Sequence, residues 1–470
     1  MLTVKDIKLK YQNGETPVQV VEKIYETIEK DNQSPAPLNA FIHLSKELAL
    51  KQADSLKETD SPLAGIPIAI KDNINITGER TTCASRILSN YEAVFDAFVI
   101  QKLKDAGAII IGKTNMDEFA MGSSSETSFF GPVLNPVDRE RVPGGSSGGS
   151  AASVSAGFVP FSLGSDTGGS IRQPAAFCGI VGFKPTYGTV SRFGLVAFAS
   201  SLDQIGPFAN SVEDAALLFK TIAGHDPMDS TSILNPLDFQ IENIKKPIKG
   251  LRVGLVKEYR VDGLQPEIAS KIDETVKRLK EMGALIQEVS LPNTQYAIPI
   301  YYIIAPAEAS SNLARFDGIR YGKREEAEKL IDIYLKSRGK GFGQEVKRRI
   351  MIGTYVLSSG YYDAYYLSAQ KVRTLVSQDF ASAFKEVDVL LTPTSPTTAF
   401  KIGEKTSDPL QMYLSDIFTI SANLAGLPAV SIPAGKDSKG LPIGIQLIGN
   451  LLEDEKILQT AYNLEQHFKK

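Results

Sequence analysis

The sequence predicts an α/β fold in which helices cover both faces of a central mixed β-sheet, and two observations lead to this prediction. Short apolar runs typical of buried strands recur along the chain, at residues 66–70, 108–111, 252–256, 387–391, 429–432 and 443–448. Amphipathic segments with helical spacing lie between them, for example residues 98–105, 266–282 and 457–468. Strands that alternate with helices are the pattern of an α/β protein.

The first elements show the signals that support these assignments. Thr16 and Pro17 predict the cap and the first residue of a helix. The apolar face of this helix would carry Val20, Val21, Ile24 and Ile28. Residues 66–70 alternate isoleucine with proline or alanine and are followed by Lys71. This second pattern predicts a strand that ends at a polar group.

The composition is that of a globular protein, and the length alone would allow two or three domains. The chain has 470 residues, of which 43% are hydrophobic and 22% charged, and these fractions are ordinary for a soluble protein. The same α/β pattern continues throughout, so we expect a single domain over 1–470. Within it we expect an N-terminal helical region at 1–60 and a core of catalytic motifs at 61–210. We interpret the polar, proline-containing segment 226–250 as a surface excursion or a boundary.

The composition also disfavours several functional classes. The net charge of −3 gives no overall reason to expect nucleic-acid binding. Cys83 and Cys178 lie far apart without metal-ligand spacing, so we expect reduced thiols, a cytoplasmic protein and no metal site. The N-terminus lacks the apolar core of a signal peptide, and no apolar run approaches the roughly 20 residues of a membrane span. We therefore expect no membrane association.

Two stretches dense in serine and glycine, residues 142–150 and 164–175, contain most of the chemical information. So many small residues disfavour both a helix and a packed strand, because glycine destabilises either. Apolar runs flank these stretches, and Asp166, Arg172 and Gln173 are isolated polar residues within the second. The pattern indicates backbone that approaches a reacting group closely, with N–H groups and hydroxyls directed at it.

Two well-known catalytic or binding motifs match parts of the sequence, but the residues around each match do not fit the motif. Residues 107–114 fit the P-loop pattern, yet a helix precedes the first glycine and strand-like residues follow it. Residues 144–148 fit the nucleophile elbow of serine hydrolases, a site that needs a histidine base. None of the three histidines, His43, His225 and His467, lies near other catalytic residue types. The sequence therefore disfavours both interpretations.

A lysine is the remaining candidate for the base. A neutral amine can accept a serine proton if its pKa falls from about 10.4 to near 7, which corresponds to about 4 kcal/mol. Burial can produce such a shift. Lys71 follows an apolar strand, no acidic residue precedes it back to Asp60, and Asp72 should point to the opposite side of an extended chain. A solvated lysine at a strand end is the alternative interpretation.

Three polar residues in matching motifs reveal a family resemblance: Lys71, Ser146 and Ser170. Each lies in a run of small or apolar residues, at 65–73, 143–150 and 164–172 respectively. Ser170 follows Ser146 by 24 residues and Lys71 by 99. In these motifs and spacings the chain resembles the amidase signature family, from about residue 60 to the segment 425–429.

The resemblance implies the amidase signature fold and a Ser–Ser–Lys site that hydrolyses an amide. It makes Ser170 the nucleophile that is acylated, Ser146 a bridging serine at a cis peptide bond, and Lys71 the base. Oxyanion-hole donors are often worth about 3 kcal/mol each. Here they would be the N–H groups of Thr167, Gly168, Gly169 and Ser170. The remaining serines nearby are expected only to pack in loops: Ser147, Ser150 and Ser165.

Within this family the chain is most similar to glutamine-hydrolysing subunits of tRNA-dependent amidotransferases, on residues 116–123, 301–313 and 343–353. That similarity implies glutamine as substrate and two further subunits, B and C, in a heterotrimer that amidates misacylated Glu-tRNA(Gln) or Asp-tRNA(Asn). It implies no cofactor in this chain, with ATP and Mg used by a partner. A free-standing amidase acting on another small amide is the alternative. An inactive scaffold is disfavoured because all three reactive positions are filled.

Helical phase and the resemblance together predict how glutamine is held. After residue 343, Arg349 shares one helical face with Val346, Ile350 and Gly353, and Asp416 shares another with Tyr413, Ile417 and Ile420. By resemblance, Arg349 would bind the α-carboxylate, Asp416 and Tyr301 the α-ammonium, and Met121 would line the pocket, since each ion needs an opposite partner. A solvated basic run for Arg349 and a structural salt bridge for Asp416 are the alternatives.

Overall fold

The computed structural model describes residues 2–56, 60–234, 239–261 and 263–469. Positions 235–238 of the predicted excursion at 226–250 therefore lie outside the described residues. The described part of that segment packs against the rest of the domain. Asp229 pairs with Arg192 at 3.1 Å, and Ile244 is fully buried.

One mixed sheet runs through the described residues. Its strands in chain order are β1 Phe41–Leu44, β2 Pro67–Lys71, β3 Ile109–Thr114, β4 Phe161–Asp166, β5 Val181–Lys184, β6 Gln204–Ala209, β7 Arg252–Val256, β8 Leu285–Val289, β9 Val389–Pro393, β10 Ala429–Lys436 and β11 Pro442–Gly449. They are ordered β1-β3-β2-β4-β6-β5-β10-β11-β9-β7-β8. β2 is parallel to β3 and β4, and β7 is parallel to β8 and β9, whereas the other pairs are antiparallel. The predicted mixed sheet is confirmed.

Helices cover this sheet. They are α1 Val4–Gln12, α2 Pro17–Asn32, α3 Lys46–Asp54, α4 Phe98–Asp105, α5 Gly148–Ser155, α6 Arg172–Cys178, α7 Val212–Ile222, α8 Pro266–Glu281, α9 Ala297–Asn312, α10 Leu330–Gly341, α11 Gln344–Val356, α12 Ser368–Glu386, α13 Pro409–Leu414, α14 Ile420–Leu424 and α15 Asp454–Phe468. Among the helices described, none combines the length and the apolar character that a membrane crossing requires.

The sheet separates two apolar clusters. In β9, Val389 and Leu391 belong to one cluster, whereas Leu390 between them belongs to the other. Successive side chains of a strand point to opposite faces, so the two clusters lie on opposite faces of the sheet. The first contains residues of α2, α4, α7 and α15, and the second contains residues of α9, α11 and α12. The predicted covering of both faces is confirmed.

Two expectations about local structure were wrong. The serine- and glycine-rich stretches contain α5 and β4, although so many small residues disfavour regular structure. Tertiary packing overrides the low helix propensity of these residues. In α5 the packing is so close that a Cβ at Gly149 would overlap the Ala40 carbonyl oxygen. The N-terminal region 1–60 is also not wholly helical, since β1 pairs with β3 at one edge of the sheet.

Close packing of α9 against α11 brings together two helices that carry predicted site residues. Tyr301 lies on α9 and Arg349 on α11. The helices approach at Gly353, where an added Cβ would overlap the carbonyl oxygen of Pro306. Glycine is therefore required at this crossing for steric reasons, and the crossing fixes the separation of the two site residues.

Gly353→Ala should push α11 away from α9 and destabilise the protein by about 1–3 kcal/mol, as overpacking does in cores. Thermal unfolding measures the loss. Gly339→Ala in α10 is the matched control, because a Cβ there meets open space. That change should be neutral or stabilise by up to about 1 kcal/mol. Equal melting temperatures for the two variants would contradict the steric argument.

Candidate active site

Lys71 ends β2 and is completely buried, which excludes the interpretation of a solvated lysine. Its Nζ lies 2.8 Å from Ser146 Oγ and 2.7 Å from Ser147 Oγ. It also lies 2.9 Å from Ser165 Oγ and 3.3 Å from the Ser165 carbonyl oxygen. Every one of these partners is a neutral oxygen. Among the described residues, no carboxylate lies within salt-bridge distance of this amine.

Burial lowers the pKa of Lys71 to about 7, although Asp117, Asp166 and Asp203 act at longer range to raise it. A substantial fraction of the amine is therefore neutral near pH 7, and a neutral amine can accept a proton from Ser146. The neighbouring Asp72 forms no ion pair with Lys71. Its carboxylate lies 3.2 Å from the buried Nζ of Lys113 on β3, which also accounts for the lysine of the rejected P-loop match.

The peptide bond between Gly145 and Ser146 is cis, and neighbouring groups fix both sides of it. The Gly145 N–H donates to Gln173 Oε1 at 3.0 Å. The Ser146 carbonyl accepts from the N–H of Asp117 at 3.1 Å. These bonds hold the Ser146 hydroxyl over the lysine amine. Gln173 is an isolated polar residue in the sequence, and no local pattern indicates this contact.

Ser170 lies in the turn between β4 and α6 and is 7% exposed. Its carbonyl accepts from the N–H of Ser147 at 3.3 Å, which joins the two serine-rich stretches. Its Oγ makes no hydrogen bond to any described residue, including Ser146. A hydroxyl that is not engaged with the protein is available to an incoming substrate and to the adjacent serine.

The backbone before Ser170 supplies N–H groups for an oxyanion. The N–H groups of Thr167, Gly168 and Ser170 form no hydrogen bond elsewhere in the described part of the chain. Gly169 differs, because its N–H donates to Asp166 Oδ1 at 2.8 Å. Of the four predicted oxyanion donors, Gly169 is therefore the one whose N–H is engaged within the turn.

A buried ion pair fixes this turn. Arg172 and Asp166 are both fully buried, and Arg172 Nη2 lies 3.0 Å from Asp166 Oδ1. Burial would raise the pKa of Asp166, but the attraction of Arg172 lowers it to about 2, so the carboxylate stays ionised. Arg172 also reaches Gln446 Oε1 on β11 at 2.6 Å. The pair therefore ties the nucleophile turn to the centre of the sheet.

Two serines do more than the expected loop packing. Ser147 and Ser165 both contact the Lys71 amine, and Ser147 Oγ also donates to the Ser165 carbonyl at 3.1 Å. Their proximity depends on pairing between distant segments, so no local signal identified them. Ser150 does only pack, though in α5 rather than in a loop, with its Oγ 2.7 Å from Thr114 Oγ1.

Arg349 is 3% exposed and faces inward, as its helical phase predicted. Its Nε donates to Glu345 Oε1 at 2.8 Å, and its guanidinium carbon lies 5.2 Å from the ring centre of Tyr302. The terminal nitrogens of Arg349 donate to no described residue. They remain available to an anion, while Glu345 and the aromatic ring fix the plane of the guanidinium.

Asp416 is 7% exposed, but the prediction that it lies on the buried face of a helix was wrong. No continuous helix runs through residues 413–420, because α13 ends at Leu414 and α14 begins at Ile420. Asp416 lies in the turn between them. Its Oδ2 accepts from Ser123 Oγ, whereas Oδ1 is buried without a hydrogen-bond partner among the described residues. Burial raises the pKa of Asp416 to about 7, a state that a bound cation would reverse.

Tyr301 and Asp416 both lie beside the nucleophile turn. A Cβ built on Gly168 would lie 2.7 Å from the Tyr301 hydroxyl, and one on Gly169 would lie 3.1 Å from Asp416 Oδ1. The Tyr301 hydroxyl therefore leaves no room for a side chain at Gly168, whereas at Gly169 the nearest group is Thr419 Oγ1, at 2.3 Å from the added Cβ. Tyr301 is itself 5% exposed. Both predicted ammonium ligands therefore lie beside the turn that carries Ser170.

A cavity of ≈ 280 Å³ adjoins this site. Met121, Ser123 and Arg349 line it, as does Tyr413, whose ring stacks on Tyr302 with centroids 3.7 Å apart. Ser170 is not among its lining residues. The cavity and the nucleophile turn are joined through Ser123, which lines one and donates to Asp416 beside the other. Of the predicted pocket residues, Met121 and Arg349 therefore line the cavity, whereas Tyr301 and Asp416 lie beside the turn.

The fold and this serine–serine–lysine constellation agree with the comparison to known families. The model of the Amidase family matches residues 19–458, and the chain belongs to that family. It is 57% identical over 473 residues to the A subunit of glutamyl-tRNA(Gln) amidotransferase from Carboxydothermus hydrogenoformans, covering 99% of this chain and 97% of that protein. The protein of the same name from Heliobacterium modesticaldum is 60% identical over 438 residues, covering 91% and 89% respectively.

A solved structure gives the same result. The crystal structure of the A subunit of glutamyl-tRNA(Gln) amidotransferase from Thermotoga maritima matches with a TM-score of 0.81 and 46% identity. The match covers 99% of this chain and 94% of that one. The amidase signature fold that the sequence predicted is confirmed.

The pKa of Lys71 leads to a prediction about the pH dependence of Ser170 reactivity. A sulfonyl fluoride that labels Ser170 should react about tenfold more slowly for each pH unit below the Lys71 pKa of about 7, because only the neutral amine removes a proton. Above that pH the rate should be constant. Intact-protein mass spectrometry measures the labelling. Lys71→Arg, which cannot lose its proton, should react slowly at every pH, and a flat profile for the unchanged protein would contradict the assignment of the base.

Proposed function

We propose that this chain is the glutamine-hydrolysing subunit of a tRNA-dependent amidotransferase. The relatives named above support that activity, and the glutamine-binding groups make it specific. The observation that carries the proposal is the unpartnered, buried Oδ1 of Asp416 beside the nucleophile turn. An anionic oxygen in that position has a use if the substrate brings an ammonium group, as glutamine does and a simple amide does not.

In the proposed reaction, neutral Lys71 accepts a proton from Ser146, and Ser146 accepts one from Ser170. The Ser170 Oγ attacks the carboxamide carbon of glutamine and forms a tetrahedral oxyanion, which accepts hydrogen bonds from the free N–H groups of the turn. Collapse breaks the carbon–nitrogen bond. The leaving nitrogen takes a proton back through Ser146, so that ammonia departs and a glutamyl ester remains on Ser170. Water, activated by the same relay, then releases glutamate.

Glutamine would lie between its two charged anchors. The terminal nitrogens of Arg349 would donate to the α-carboxylate, in the fork geometry that suits a planar anion. Asp416 Oδ1 and the Tyr301 hydroxyl would accept from the α-ammonium, while Met121 would contact the side-chain methylenes. This orientation directs the carboxamide towards Ser170. A substrate that lacks either charge would lose one anchor.

The ammonia would be used by a partner rather than by this chain. We infer a heterotrimer with subunits B and C in the cytoplasm, in which a partner binds misacylated Glu-tRNA(Gln) or Asp-tRNA(Asn) and activates it with ATP and Mg. This chain would itself bind no cofactor. The names of its relatives, each the A subunit of an amidotransferase, support the assembly.

Ser170→Ala in the assembled complex should abolish amidation that uses glutamine and leave amidation that uses added ammonium chloride intact. The nucleophile is needed only to release ammonia, so the second reaction bypasses it. Formation of amidated tRNA measures both. Ser155→Ala is the matched control, because it removes only a hydrogen bond to the Cys178 carbonyl. Survival of glutamine-dependent turnover in Ser170→Ala would reject Ser170 as the nucleophile.

Asp416→Asn should raise the KM for glutamine by about 10- to 100-fold, since a hydrogen bond to a charged group is worth about 1.5–3 kcal/mol. The change keeps the shape and removes the charge. Steady-state glutaminase kinetics measure the effect, and hydrolysis of butyramide, which has no ammonium, serves as the control. If glutamine and butyramide were affected equally, Asp416 would not be the ammonium ligand.

A further inference from the structure

A second cavity, of ≈ 450 Å³, lies outside the glutamine site. It is larger than the cavity at Arg349 and has no place in the reaction described above. Its lining combines aromatic side chains with polar ones, including Asn75, Phe95, Asp203, Arg315 and Tyr321. Binding sites of this size usually have such a mixed lining, with a few polar groups that orient the ligand.

The side chain of Asn75 in this cavity is buried yet unsatisfied. Asn75 is 5% exposed, and its Oδ1 has no hydrogen-bond partner among the described residues. Its Nδ2 also donates to none of them. Buried polar groups are nearly always hydrogen-bonded, because an unpaired one costs about 1–3 kcal/mol. A carboxamide offers one acceptor and two donors, which match the N–H and C=O groups of an extended polypeptide.

The mouth of the cavity is apolar and exposed. Phe95, Met228 and Tyr321 line the cavity while remaining 39%, 67% and 42% exposed. Phe95 also packs against Phe193, another lining residue, with ring centroids 5.1 Å apart. Exposed apolar side chains gathered around a cavity mark interaction sites more often than chance exposure does.

The same mouth has one unpaired positive charge. Arg315 is exposed, and its Nε donates to the Asn312 carbonyl at 2.9 Å. None of the ion pairs between described residues includes Arg315. The other arginine of the lining, Arg192, is paired with Asp229 at 3.1 Å. A ligand that fits here should therefore present a negative charge to Arg315.

We propose that this cavity is the docking site for an extended segment of a partner subunit that carries apolar side chains and an acidic residue. The inference rests on the proposed function, in which this chain works within a complex. The carboxamide of Asn75 pairs with the backbone of the segment, the aromatic mouth receives its apolar side chains, and Arg315 pairs with its carboxylate. Extended segments are recognised in this way, by backbone hydrogen bonds and side-chain pockets together.

The docked segment would lie against the support of the oxyanion turn. Asp203 lines the cavity, and its carboxylate accepts from Thr167 Oγ1 at 2.7 Å and from the N–H of Phe198 at 2.9 Å. Thr167 supplies one of the free N–H groups of that turn. Assembly at this cavity therefore contacts a group that positions the glutaminase site, which gives the partner a direct route to it.

A photo-crosslinking experiment tests the docking. The full chain with p-benzoylphenylalanine in place of Phe95 is purified together with the other components of its native complex, irradiated and analysed by peptide mass spectrometry. We expect a crosslink to one extended segment of a partner protein. The same substitution at Phe129, which is 53% exposed and does not line the cavity, should not crosslink to that segment. No crosslink at position 95, a crosslink only to a small molecule, or equal crosslinks at both positions would overturn the proposal.

Charge reversal provides a second measurement. Arg315→Glu should weaken assembly by about tenfold in Kd, because it repels the acidic residue of the segment. Arg260→Glu, at an arginine whose side chain is 71% exposed outside the cavity, should leave the Kd unchanged. Measuring the melting temperatures of the two isolated variants would test that both are folded. Equal affinity for the two variants would reject the docking site, whereas assembly without glutamine hydrolysis would reject only the proposed function.

Discussion

Burial of Lys71 among neutral oxygens is the constraint on which the rest of the site depends, because a carboxylate in contact would restore its ordinary pKa and remove the base. The nearby acids are all engaged elsewhere. Asp72 lies 3.2 Å from Lys113, and Asp166 pairs with Arg172. Asp117 accepts from the N–H of Ser125 at 2.8 Å and from the hydroxyl of Thr127. The surrounding network thus keeps negative charge close enough to order the loops but out of contact with the amine.

The same network explains how far the sequence could be used to predict the structure. Periodicity identified the strand that ends at Lys71 and the inward phase of Arg349, since both follow from neighbours along one element. It gave a wrong reason for Asp416, whose burial comes from a turn against Ser123 rather than from a helical face. The contacts of Ser147 with the lysine arise between distant segments, and no local pattern encodes them.

Glycine density was a correct signal of close approach but a poor guide to secondary structure. Small residues let α5 and the nucleophile turn come within contact of neighbouring backbone, and this packing compensates for their low propensity. At Gly168 the nearest group is the Tyr301 hydroxyl, and at Gly169 it is the Thr419 hydroxyl, with Asp416 Oδ1 slightly farther away. The small size of these residues therefore allows the Tyr301 hydroxyl and the Asp416 carboxylate to approach the turn that carries Ser170.

The contacts of Arg349 leave part of its guanidinium free of described residues. A buried guanidinium without a counter-ion would be unstable, and Glu345 supplies one at 2.8 Å through Nε alone. In the proposed complex, that geometry would leave the two terminal nitrogens for the α-carboxylate of glutamine. Bound glutamine would then place its carboxylate near Glu345, and repulsion between the two anions would limit affinity unless Arg349 contacts both. In the proposed complex the arginine would therefore bridge the two anions, a role that a lysine, with a single point charge, could not fill in the same geometry.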